Sequence, residues 1–138
     1  MRVVLDTNVV ASGIFFGGQP GRILAAWAAG EFTLILSPAI LAEYRRVGDE
    51  LRKEYPDLGA AFDPIMALIA MNAVIVDAPA PARSFGRDAD DDKFITAALA
   101  ADAGVIVSGD KDLHALVPPP GISILTPRQF TDRHLRMR

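Results

Sequence analysis

The side chains with the clearest capacity for chemistry are acids: Asp6 in RVVLDTN, Glu43 in AILAEYRRV, Asp90, Asp91 and Asp92 in DADDDKF, and Asp110 in VIVSGDKDL. Asp6 and Asp110 come at or just after the end of a short apolar, strand-like run. In a parallel sheet such ends share one edge, and that edge is where open α/β sheets bind ligands. Four ionised carboxylates gathered about 5 Å apart, at an effective dielectric near 20, would repel by roughly 3 kcal/mol per pair. Summed over the pairs, this exceeds the ~5–15 kcal/mol that holds a domain together. Protonation, separation or a cation must relieve it. A hard divalent ion with oxygen ligands, Mg²⁺ or Mn²⁺, is the most economical answer and points to metal-dependent chemistry on phosphate esters.

Each acid also has a bland explanation. Asp or Asn often does no more than open a turn after a strand, as Asp6-Thr7-Asn8 would do. Glu43 lies three residues after Ile40 and four before Val47, on the same helical stripe as two core candidates. An ionisable group on that stripe needs a partner; alternatively it reaches solvent or pairs with a nearby arginine. The acidic run at 90–92 could serve only as a helix-dipole and capping feature. Its helical phase sorts it further. Asp91 precedes Phe94, Ile95 and Ala98 by three, four and seven residues and so heads the buried stripe. That makes Asp91 the preferred inward ligand, with Asp92 next and Asp90 furthest from the stripe. Lys93 beside them either contacts a phosphate or balances charge. Asp110 follows Ser108 and Gly109, where the backbone can turn sharply; it either binds a ligand or N-caps the next helix. His114 reads as a helix-surface residue without chemistry.

The elements that would position these acids alternate along the chain, which favours βαβ units and a parallel sheet. Strands are predicted near 2–6, 32–37, 73–77, 104–108 and 122–126. Each is short and almost wholly apolar, as expected of strands covered on both faces. Helices are predicted near 20–30, 38–48, 50–55, 58–71, 91–102, 110–116 and 127–134. Ser37-Pro38 and Thr126-Pro127 each combine an N-cap with proline at the first helical position. The stretch 78–90 reads as a loop, and PPPG at 118–121 as a stiff connector.

Composition bounds the rest. A chain of 138 residues, 51% hydrophobic and 22% charged, fits one domain, 1–138, with a sizeable core. With no cysteine and only two histidines, thiolate chemistry and a histidine-rich metal site are excluded, and any metal must be held by oxygen. No segment approaches the ~18 apolar residues a membrane helix needs, and the apolar run at the start is too short for a signal peptide; a cytoplasmic location is expected. The net charge of -3 gives no bulk attraction to nucleic acid. Arg128, Arg133, Arg136 and Arg138 nevertheless crowd the C-terminus.

Taken together, VVLDTNVVASG, LSPAILAEYRRV, DADDDKFITAALAADAG and VIVSGDKDL occur in an order that resembles the PIN-domain ribonucleases, in particular the PIN-type toxins of bacterial toxin–antitoxin pairs, from near residue 1 to about 116. The resemblance implies a three-layer α/β/α sandwich around a mostly parallel sheet. It also implies Mg²⁺- or Mn²⁺-dependent cleavage of single-stranded RNA, a homodimer, and a small antitoxin protein that blocks the site. By the same resemblance Asp6, Glu43, Asp91 and Asp110 match the acidic metal-binding and catalytic positions, with Asp92 the alternative to Asp91. Asn8 and Ser108 match polar residues beside them and are expected to contact substrate. In the mechanism these residues suggest, the strand-end acids and Asp91 hold the cation and Glu43 orients or deprotonates water. Two rivals remain. One is a Mg²⁺-dependent phosphotransfer or phosphatase domain with Asp6 as nucleophile, where a second Asp two residues on would be usual and Asn8 stands instead. The other is a PIN-like interaction module without catalysis.

Overall fold

The computed structural model of the chain describes residues 1–79, 83–85 and 89–135. Five parallel strands form the sheet: β1 (Arg2–Leu5), β2 (Thr33–Leu36), β3 (Val74–Ile75), β4 (Val105–Val107) and β5 (Ser123–Leu125), in the order β3-β2-β1-β4-β5. Parallel neighbours require crossovers, and helices make them: α1 (Thr7–Phe15), α2 (Gly18–Ala28), α3 (Pro38–Glu54), α4 (Phe62–Asn72), α5 (Asp92–Ala100), α6 (Lys111–His114) and α7 (Pro127–His134). The result is the expected α/β/α sandwich. β1 is central, and Val3, Val4 and Leu5 are fully buried between helices. From β1 the chain proceeds to β2 on one side, while β4 lies on the other. The gap between the C-terminal ends of β1 and β4 is therefore the topological switch point of the sheet.

All five strands lie inside their expected ranges, and α7 has the expected bounds. Its cap is a full capping box, in which Thr126 Oγ1 accepts from the Gln129 amide and Gln129 Oε1 accepts from the Thr126 amide. Three helical expectations need correction. α1 occupies a segment for which no helix is predicted, since Asp-Thr-Asn followed by the β-branched pair Val9-Val10 does not favour one. Tertiary packing overrides that preference, since Val9, Val10, Ile14 and Phe15 are all buried. The segments expected as separate helices at 38–48 and 50–55 form one helix, α3. Gly48, the expected end of the first of those helices, is there for close approach: a Cβ would lie 1.9 Å from Phe62 Cε1. The helix expected over 58–71 begins only at Phe62, as α4, and Leu58 instead ends a separate 3₁₀ turn, Pro56–Leu58. Part of the loop expected at 78–90, namely 80–82 and 86–88, lies outside the described residues, as do Arg136 and Arg138.

Candidate active site

Asp6 is the first residue beyond β1, and its amide continues the ladder by donating to Val107 O at 2.9 Å. It holds the N-cap position of α1, yet its carboxylate makes no capping bond. Instead Oδ2 accepts a 2.6 Å hydrogen bond from Ser108 Oγ, one residue beyond β4. Ser108 is fully buried and its hydroxyl also accepts from the Asp110 amide at 2.9 Å. One hydroxyl thus fixes Asp6 against the turn that carries Asp110. Burial pushes the Asp6 carboxyl above its ordinary range; the Ser108 bond opposes this, and the nearby charges of Asp110 and Glu43 add to it.

Glu43 comes from α3, which Ser37 caps by accepting from the Ile40 amide at 3.3 Å. Next to it, Tyr44 is buried and donates from its hydroxyl to Leu5 O at 2.5 Å, so α3 is tied to the end of β1. Burial raises the Tyr44 hydroxyl well above the ordinary tyrosine range. Glu43 Oε2 accepts from Thr7 Oγ1, while Oε1 pairs with Lys93 Nζ at 2.8 Å and stands 3.9 Å from Arg46 Nη2.

The acidic run splits. Asp91 ends a 3₁₀ turn, Ala89–Asp91, and is buried on the wall of a cleft of about 200 Å³ that Asp6, Thr7, Asn8, Glu43 and Asp110 also line. Asp92, equally buried, faces a second cavity, where Oδ1 accepts from the Phe85 amide at 2.9 Å and from Ser84 Oγ at 3.4 Å. Asp90 is exposed and borders both cavities. Asp110 takes the expected N-cap of α6, its Oδ1 accepting from the Asp112 amide at 2.9 Å, and it also lines the cleft. Asn8 is exposed on the cleft wall, whereas Ser108, expected to contact substrate, is buried beneath Asp6.

Three further residues escape a reading of the sequence. Thr7 is visible there only as the middle of DTN. Tyr44 gives no local sign of the carbonyl it anchors. His114, expected at the helix surface without chemistry, places Nε2 2.6 Å from Ser108 O. Because a carbonyl only accepts, Nε2 carries the proton and the ring secures the residue that holds Asp6.

Among the described residues, no three acidic or imidazole groups converge closely enough to form a finished cation site. The donor chemistry nevertheless suits a hard cation. The cleft offers carboxylate oxygens, with neither imidazole nor sulfur on its wall, and the Asp6 anion is disfavoured by burial and by neighbouring negative charge.

The chain belongs to the PIN-domain family, whose model matches residues 2–112. PIN domains are in general nucleases, which sets the class of this protein. No curated protein matches it. Among solved structures, the fold is similar to a chain in the crystal structure of VapBC2 from Rickettsia felis bound to a DNA fragment from their promoter. That match has a TM-score of 0.60 at 15% identity and covers 91% of this chain and 98% of the other. It is also similar to a chain in the structure of FitAB bound to IR36 DNA fragment, with a TM-score of 0.50 at 19% identity, covering 91% and 94%.

Proposed function

We propose that this PIN domain is a divalent-metal-dependent endoribonuclease that cuts single-stranded RNA, acting as the toxin of a toxin–antitoxin pair. The observation that carries the reading is that Asp6, Glu43, Asp91 and Asp110 all line one cleft at the switch point between β1 and β4. Asp6, Asp91 and Asp110 would hold Mg²⁺ or Mn²⁺, which supplies a bound water of lowered pKa and positive charge beside the phosphate oxygens. Asp92, bonded to the Phe85 amide and the Ser84 hydroxyl, has a supporting role in this reading. Glu43, fixed by Thr7 and Lys93, takes the proton of the attacking water. Asn8, exposed on the cleft wall, donates to the RNA; Ser108 acts beneath the surface by orienting Asp6.

The similar chains in the VapBC2 and FitAB structures support a small antitoxin partner, and a homodimer belongs to the same reading. A cytoplasmic location fits this role, and no helix among the described residues is long and apolar enough to cross a membrane. The test is incubation of the purified protein with single-stranded RNA and Mn²⁺, followed by sequencing of the cut ends. Cleavage that stops with chelator is the expected result. A phosphorylated Asp6 after exposure to a phosphodonor, without RNA cleavage, would favour the phosphotransfer alternative.

A further inference from the structure

Lys93 is the second residue of α5, and its ammonium is largely covered, with the side chain only 18% exposed. It crosses to α3 to pair with Glu43 Oε1 at 2.8 Å, and it donates to Asp90 O, in the 3₁₀ turn that carries Asp91, at 2.7 Å. Its Nζ also stands 5.4 Å from the centre of the Phe94 ring, a cleft-wall residue. Since Thr7 occupies the other oxygen of Glu43, that carboxylate is fixed from both sides. Exposed ion pairs contribute little. This pair has both members mostly out of water, so loss of one leaves a charge poorly compensated. Lys93 lines the second cavity, and its ammonium reaches the acids through Glu43 on the cleft wall, so a cation binding beside Glu43 meets a positive charge nearby.

We propose that Lys93 is a positioning residue of the reaction: it holds the Glu43 carboxylate in place, and its charge weakens cation binding as the cost of that placement. The inference rests on the metal-dependent nuclease reading above. It carries an uncommon sign. A residue that merely supports the fold should, when removed, loosen the cation site or leave it unchanged. Removal of Lys93 should tighten it, because one positive charge leaves the neighbourhood of the acids.

The test uses Lys93→Met and Lys93→Arg in the full chain, with Mn²⁺ affinity measured calorimetrically without RNA and cleavage measured separately. Lys93→Met is expected to bind Mn²⁺ roughly three- to tenfold more tightly. Its kcat should fall by about tenfold or more with KM for RNA little changed, since general-base help contributes roughly 10²–10⁴. Lys93→Arg should recover most of the rate. In a Glu43→Gln background, adding Lys93→Met should bring little further loss, because Lys93 acts through Glu43. Unchanged or weaker Mn²⁺ binding by Lys93→Met, or an unchanged kcat, overturns the proposal. If Lys93→Met fails to fold, Glu43→Gln and the double variant decide: equal rates support the proposal and a slower double variant overturns it. A parent protein that neither binds Mn²⁺ nor cuts RNA overturns the nuclease reading together with this one. A parent that does both, with variants that fail as described, overturns this one alone.

Discussion

On the strand side of the cleft, Asp6 and Asp110 are placed by the backbone. The Asp6 amide extends the β1–β4 ladder, the Ser108 amide extends the β4–β5 ladder to Leu125 O at 2.9 Å, and the Ser108 hydroxyl links the two acids. On the helix side, Glu43 is held chiefly by side-chain bonds from Thr7 and Lys93, and Asp91 sits in a short 3₁₀ turn that Lys93 also grips. The difference teaches where the site can yield. A substitution on the strand side should change the chemistry with the geometry intact, whereas one on the helix side should change the geometry as well.

The largest effect is expected at Asp6. Asp6→Asn keeps an acceptor for Ser108 and removes the charge, so RNA cleavage should fall by at least about a hundredfold with the circular dichroism unchanged. The same variant should alter stability in metal-free protein with a definite sign. The folded-state pKa of Asp6 is raised above the ordinary 3.8, so its contribution is present below that value and is lost as pH rises through the folded pKa. Denaturation in chelator should therefore show Asp6→Asn gaining on the parent toward neutral pH. A constant difference across pH would show that the Asp6 charge is not strained.

Next come the neighbouring acids. Asp91→Asn should slow cleavage by orders of magnitude and Asp90→Asn the least. Asp92→Asn should show itself mainly in stability, by about 1 kcal/mol, because it weakens the charge-assisted bonds to Phe85 and Ser84. Equal rates for Asp91→Asn and Asp92→Asn would erase the distinction between their two cavities. A smaller contrast separates Ser108→Ala from Thr7→Val. Loss of the Ser108 bond should raise the Asp6 pKa further, visible by carbon NMR titration of the metal-free protein, while Thr7→Val should leave Asp6 nearly where it was.

The smallest effect is expected at the basic tail. Replacing Arg133, Arg136 and Arg138 with Ala should weaken RNA binding and flatten its dependence on log salt by about 0.7 for each phosphate that the tail no longer neutralises. An unchanged slope would separate the tail from RNA.

The parts legible in the sequence are those decided locally. An apolar run that ends in a carboxylate marks the end of β1, and Thr126-Pro127 marks the start of α7. Helical phase distinguishes Asp91 from Asp92 because the two are adjacent at the head of α5. What could not be read depends on contacts between distant segments. Nothing near Val9 indicates that α1 will be stabilised by burial on several sides, and nothing near Gly48 indicates the Phe62 ring that makes a glycine necessary inside a continuous helix. Ser108 is recognisable as a polar residue after a strand, but whether it meets substrate or Asp6 depends on β4 lying beside β1. The Thr7–Glu43 and Lys93–Glu43 bonds join segments that only the fold brings together.

The bond from Tyr44 to Leu5 O makes α3 unequal about its midpoint. An inserted residue turns a helix by about 100°. Between Ser37 and Glu43, an insertion would force a choice between the cap and the tyrosine anchor, and keeping the cap would carry Glu43 out of the cleft. Beyond Gly48 the same insertion would leave Glu43 in place and disturb the packing on α4 and on the 3₁₀ turn Pro56–Leu58. The length of α3 is therefore free to drift at its far end, while its first two turns act as a fixed spacer between the strand edge and the carboxylate.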